Sequence, residues 1–220
     1  MPIFELEDAT VQYNGVPVLN KISLKIKLGE RVAFVGQSGA GKSTLLTLLY
    51  EQHNNDTALV PQELGLVRAL TVFHNIYMGR LHRHPTWYNV ANLVRPFKKE
   101  IEAMRPTVEK IGLEDKIFQR VEELSGGQQQ RTAIGRAIHK DSKIFMGDEP
   151  VSAVDEHQSR MVLDAIVETH ETVVLSMHDV DLALNYSDRA VGIKRGKIVL
   201  DEPTAGMKAS DLDELYRVDG

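Results

Sequence analysis

Ten residues, VGQSGAGKST over 35–44, limit the possible folds more than any other stretch of this chain. Positions 36–43 fit the pattern of a glycine, four free positions and then Gly-Lys-Ser. The context gives the pattern its meaning: the apolar run RVAFVG (31–36) leads in, and STLLTLLYEQ (43–52), with apolar residues at helical spacing, leads out. A strand, a glycine-rich turn and a helix in that order make an anion cradle. Glycines let the backbone curl until successive amide N–H groups converge on one point, and the helix start adds the positive end of its dipole. The ligand implied is the phosphate chain of a nucleotide. Gly36, Ser38, Gly39, Ala40, Gly41, Lys42, Ser43 and Thr44 form its cradle, with Lys42 bridging the β and γ phosphates and Ser43 ligating Mg²⁺.

Other segments extend the same architecture. KIFMGD (143–148) and TVVLSMH (172–178) are continuous apolar runs, as strands covered on both faces require. ISLKIKL (22–28) alternates strictly instead, so it reads as a strand with one wet face. DEHQSRMVLDAIVETH (155–170) is helical in period, and RAVGIKRGKIVLDEP (189–203) reads as a hairpin turning at Arg195 and Gly196. Strand and helix alternation argues for an α/β layer fold. Between positions 67 and 140 the alternation stops, and helix-like pieces such as TVFHNIYMGRL (71–81) and QQQRTAIGRAIHK (128–140) take over. The expected organisation is a single domain over 1–220, with 1–66 and 141–220 as the core and 67–140 as an inserted helical lobe. Pro85, Pro96 and Pro106 should break the lobe into short pieces, and Pro106 should split a helix over 98–111. The basic region 80–99 reads as a solvated face.

At 220 residues and 42% hydrophobic, the chain can bury a core. Its net charge of −5 leaves no basic stripe of the kind that tracks nucleic acid, and the absence of cysteine rules out disulfides and thiolate metal sites. The opening MPIFELEDAT is not a secretory signal, and no apolar run reaches the roughly 20 residues that span a bilayer. The expectation is a soluble chain whose membrane role, if any, comes through a partner.

Two further motifs carry chemistry. KIFMGDEP ends an apolar strand in two carboxylates: such an end can put Asp148 on the magnesium shell and leave Glu149 facing an attacking water, although it is also an ordinary way for a strand to stop. LSGGQQQR (124–131) is a helix start, in which Ser125 and Gln128 fit a capping box and Ala133, Ile134, Ala137 and Ile138 mark the buried face. A glycine pair at a helix start is also a second anion site. Two such sites in one chain suggest a nucleotide held between two copies.

The phosphate loop, LSGGQQQR, DEPVSAVD and SMHD, in this order and over most of the chain from Phe4 to Tyr216, resemble the nucleotide-binding subunit of an ATP-binding cassette (ABC) transporter. That resemblance implies a P-loop NTPase core, mainly a parallel sheet with flanking helices and an N-terminal antiparallel β part, carrying an inserted helical subdomain. It implies ATP and Mg²⁺ as cofactors and a head-to-tail dimer in which Ser125, Gly126 and Gly127 of one copy close on ATP cradled by the other. It assigns Tyr13 to stacking on adenine, Gln62 to magnesium and water, Asp155 to communication across the dimer and His178 to the γ phosphate. Valine at position 154 departs from the family's usual leucine, and only twenty positions separate Lys42 from Gln62, which implies a trimmed side sheet.

The implied partners are a second copy, an integral membrane permease docked near Gln62 and, through it, a solute-binding protein. The implied location is the cytoplasmic face of the inner membrane. LTVFHNIYMGRL and HDVDLALNYSDRAVGIKRGKIVLDEP most resemble the ATPase subunits of phosphonate importers. Two alternatives are an accessory ATPase of carbon–phosphorus bond cleavage and a nucleotide-dependent assembly or regulatory module. The second has no need of Glu149 and His178.

Overall fold

The computed structural model describes residues 2–217. In chain order the strands are β1 (Pro2–Tyr13), β2 (Val16–Lys27), β3 (Arg31–Val35), β4 (Thr57–Val60), β5 (Ile144–Asp148), β6 (Thr172–Ser176), β7 (Arg189–Lys194) and β8 (Lys197–Pro203). The α-helices are α1 (Lys42–Gln52), α2 (Val72–Tyr77), α3 (Thr86–Val94), α4 (Lys98–Lys110), α5 (Gly126–Lys140), α6 (Glu156–Thr169), α7 (Val180–Asn185) and α8 (Asp213–Tyr216). The chain forms two compact units. The first takes the residues up to Leu59, Lys143–Pro150 and those from His170 onward; the second takes Val60–Ser142 and Val151–Thr169. The lobe expected over 67–140 falls within the second unit, which also includes α6.

In the first unit β1 and β2 pair antiparallel as a two-stranded sheet, turning at Asn14 and Gly15, whose φ values of 52° and 80° suit the tight turn that follows strand twist. The alternation read in 22–28 does what period two requires: Ile22, Leu24 and Ile26 are buried, and Ser23, Lys25 and Lys27 are exposed. The main sheet runs β4-β5-β6-β3-β7-β8. Its inner pairs β5–β6, β6–β3 and β3–β7 are parallel, whereas β8 returns antiparallel through a turn at Arg195 and Gly196, the expected hairpin. Every residue of β5 and β6 is buried, which explains their unbroken apolar sequence. Phe4, Leu24 and Ile26 of the small sheet, Leu45 and Leu49 of α1, and Phe34, Met146 and Val174 of the main sheet share one core.

The second unit is helical. Val72, Phe73 and Ile76 of α2, Met104 and Val108 of α4, Ala133, Ile134 and Ala137 of α5, and Val162, Leu163 and Ile166 of α6 are buried. Pro85 is the residue before α3 and Pro96 separates α3 from α4, as expected. Pro106 behaves otherwise: α4 runs unbroken through it. Its neighbours on the inner face, Met104, Thr107 and Val108, are buried while Pro106 itself is exposed, so the carbonyl it deprives of a donor faces water and the packed face keeps the helix going. The basic stretch also does more than face solvent, because Arg80 donates to the His139 carbonyl and Arg83 pairs with Asp141 at 3.1 Å, satisfying groups at the end of α5.

Candidate nucleotide site

The loop between β3 and α1 curls tightly. Gly36 has φ 142° and lies so close to β7 that a Cβ there would fall 2.2 Å from the Ile193 carbonyl oxygen, so no side chain fits. Downstream, the Gly196 N–H donates to the Ala40 carbonyl and the Asn20 N–H to the Gly196 carbonyl, which ties the β7–β8 turn and β2 to the loop. This brings the hairpin that turns after Tyr13 to the loop's side, and Tyr13 stands 57% exposed beside that turn. Ser38, Gly39 and Ser43 are exposed.

Lys42 is buried, and its Nζ donates to the Gly36 carbonyl at 2.7 Å and the Gln37 carbonyl at 3.0 Å. Burial lowers its pKa, and the carboxylates of Glu149 and Asp148 oppose that shift. Those two carboxylates close β5. Asp148 is 6% exposed, and its Oδ1 is buried without any hydrogen-bond partner. Glu149 has φ 51°, a left-handed conformation unusual for a residue with a side chain, and its N–H donates to the Ser176 carbonyl at 3.0 Å on β6. Its carboxylate lies 2.6 Å from His178 Nε2, just past the end of the same neighbouring strand. Lys42, Asp148, Glu149 and His178, read separately along the sequence, therefore belong to one cluster in the first unit.

The residues present fit a divalent cation. An orphaned buried carboxylate oxygen is what an ion would satisfy, and among the described residues no group of three or more His, Cys, Asp or Glu could hold a metal alone. A magnesium ion here would rest on few protein oxygens, Asp148 and the Ser43 hydroxyl among them, and on its ligand's phosphates.

The remaining residues lie on the second unit. Ser125 caps α5: its Oγ accepts from the Gln128 N–H, and the Gln128 side chain accepts from the Ser125 N–H, the box expected from sequence. Ser125 and Gly126 are exposed at this helix start. Gly127 packs on the segment before α6, where a Cβ would fall 2.7 Å from the Ala153 carbonyl oxygen. Gln130 holds the same segment, accepting from the Ala153 N–H at 2.8 Å and donating to Ser152 Oγ at 3.3 Å. Asp155, exposed, caps α6 by accepting from the Gln158 N–H at 3.0 Å. Gln62 is exposed in the loop after β4, and two residues on, the Arg136 guanidinium donates to the carbonyls of Leu64 and Gly65 at 2.6 and 2.7 Å. Sequence reading missed Gln130 and Arg136 because their partners are backbone groups 23 and 71 positions away.

The family model for ABC transporters matches residues 19–152. The phosphonates import ATP-binding protein PhnC of Lactobacillus acidophilus is 33% identical over 98% of this chain and 95% of its own length, and that of Staphylococcus haemolyticus is 33% identical with the same coverage. The counterpart from Anaeromyxobacter dehalogenans is 34% identical, and the chain spans 48% of its length. Among solved structures, a dimeric bacterial ABC transporter cassette superposes with a TM-score of 0.80 at 23% identity, covering 93% of this chain and all of the other. A post-hydrolysis ATP-binding cassette bound to ADP and Pi gives 0.78 over the same share of this chain. A phosphate loop opening α1 and two carboxylates closing β5, on a fold shared with those cassettes, agree with this match: the chain belongs to the ABC transporter family as one of its ATPase cassettes.

Proposed function

We propose that this cassette drives solute import by hydrolysing Mg-ATP between two head-to-tail copies, and that the solute is a phosphonate or a related phosphorus compound. The observation that carries the hydrolytic reading is the cluster at the strand ends: buried Asp148 with an unsatisfied oxygen, Glu149 at φ 51° and His178 at 2.6 Å from it, beside a lysine seated on the phosphate loop.

In this reading Lys42 turns from the carbonyls of Gly36 and Gln37 to the β and γ phosphates, and the loop amides of Ser38 to Thr44 take the remaining oxygens. Magnesium, when bound, supplies positive charge to the developing oxyanions and rests on Asp148 and Ser43, with Gln62 as a further contact. Glu149 orients the attacking water and accepts its proton, and His178, within hydrogen-bond reach of that carboxylate, fixes its direction and contacts the γ phosphate. Ser125, Gly126 and Gly127 of the second copy complete the cradle with the start of α5, and Asp155 faces across the pair. Tyr13 stacks on the base.

An apolar groove supports docking on a membrane partner in this reading. In the second unit Leu70, Tyr77, Leu81, Val90 and Leu93 line a mainly apolar groove of about 330 Å³, and no described helix is long and apolar enough to cross a membrane. A permease would seat there, on the unit that carries Gln62, and reach a solute-binding protein on the far side. The cargo rests on the names of the import relatives.

The test is Glu149→Gln. ATP affinity should stay within about twofold while turnover falls at least about a hundredfold, the usual loss of a general base. Hydrolysis near the starting rate would end the assignment.

A further inference from the structure

The same two residues that Lys42 engages are also held by Tyr216. The Gly36 N–H donates to Tyr216 Oη at 3.2 Å, and Gln37 Nε2 donates to the Tyr216 carbonyl at 2.7 Å. Tyr216 ends α8, which is fastened independently: Lys194 Nζ donates to the Glu214 carbonyl at 3.1 Å, and Leu215 is buried against Gly192, whose added Cβ would meet it at 2.8 Å. Leu212, just before this turn, is fully buried. The turn is therefore anchored on β7 and not on the loop it touches.

We infer that Tyr216 is a positioning residue that fixes the base of the phosphate loop while Lys42 changes partners. The inference rests on the nucleotide reading of that loop. Two of Lys42's three N–H donors hold the Gly36 and Gln37 carbonyls, so it cannot bridge two phosphates without releasing at least one of them. When it leaves, glycine at position 36, with φ 142°, has no side chain to restrict the peptide. The two bonds from Tyr216 persist through that exchange because they use the N–H of Gly36 and the Gln37 side chain, groups that Lys42 does not touch. Removing the hydroxyl leaves the loop more states to lose on binding, so the effect falls on ATP affinity and not on the chemical step.

The experiment uses the full chain and compares Tyr216→Phe, Gln37→Leu and Lys42→Ala. Each is measured for binding of a fluorescent ATP analogue, for KM and kcat with ATP, and for melting temperature. Tyr216→Phe keeps the ring and drops only Oη, so the freed loop has more states for binding to remove: KM and the analogue Kd should rise about fivefold, with kcat at saturation unchanged and the melting temperature lower by no more than about 4 °C. Gln37→Leu tests the second bond and should shift KM the same way, which keeps the inference open to refutation should Tyr216→Phe fold poorly. Unchanged KM in both variants overturns it, as does a fall in kcat and melting temperature together, the mark of general loosening. Lys42→Ala separates the two ideas. Lost binding there with unchanged Tyr216→Phe removes the anchor alone, whereas retained binding in Lys42→Ala removes the nucleotide reading beneath it.

Discussion

His139 shows at the scale of one residue how burial sets charge. It is 1% exposed near the end of α5, and neither ring nitrogen has a hydrogen-bond partner. Burial first, and then the nearby guanidinium groups of Arg80 and Arg83, lower its pKa to about 4 against the pull of Asp141. A depressed histidine binds its proton more readily unfolded than folded, so stability is complete above the ordinary value near 6.5 and is lost as pH falls from there towards 4. Urea unfolding at pH 5 should give a protein about 2 kcal/mol less stable than at pH 7 from this group alone. His139→Leu should remove that part of the difference; an identical pH slope in the variant would show that other groups carry it. Nothing local in the chain points to this residue, because its environment comes from Arg80 and Arg83, more than fifty positions away. The phosphate loop and the Ser125 cap were legible for the opposite reason: their chemistry is complete within ten residues.

Among the elements, α4 and α5 mark where local rules hold and where packing overrides them. In α5 the capping box, the buried stripe and the boundaries all agree with the sequence, since cap, period and burial point the same way. In α4 the proline rule lost. Pro106 removes one intrahelical donor, yet Met104 two positions before it and Thr107 and Val108 after it are buried, and the unpaired carbonyl lies on the exposed face. Single-sequence reasoning sees the breaker and not the packing on both sides of it. The helix nevertheless bears a cost, which a substitution can expose. Pro106→Ala restores the donor and a good helix former, while the freer unfolded chain returns part of the gain, so the protein should gain about 1–2 kcal/mol, within the roughly 3 kcal/mol that separates the two residues in a helix interior. Chemical denaturation gives the value directly. No gain would mean that α4 is bent to accommodate proline and that alanine cannot straighten it.

For the whole molecule, the residues assigned to one nucleotide fall on two units. Lys42, Asp148, Glu149 and His178 belong to the first, and Ser125, Gly126 and Gly127 to the second. The proposed head-to-tail pairing gives each group its complement from the other copy. Its symmetry has a consequence: a two-fold pair contains two equivalent sites, so one substitution at the start of α5 disables both at once. Glu149→Gln, which should bind ATP without consuming it, provides the background. In size-exclusion chromatography it should elute near 25 kDa without nucleotide, from a chain of 24.6 kDa, and near twice that mass with Mg-ATP. Adding Ser125→Arg places a bulky side chain at an exposed helix cap and puts a cation at the positive end of a helix dipole, so pairing should be lost. ATP binding should survive in that double variant, because the cradle around Lys42 lies on the other unit. A monomer with ATP in the Glu149→Gln background would refute the shared site. A dimer that persists with Ser125→Arg would place the pairing surface away from the start of α5.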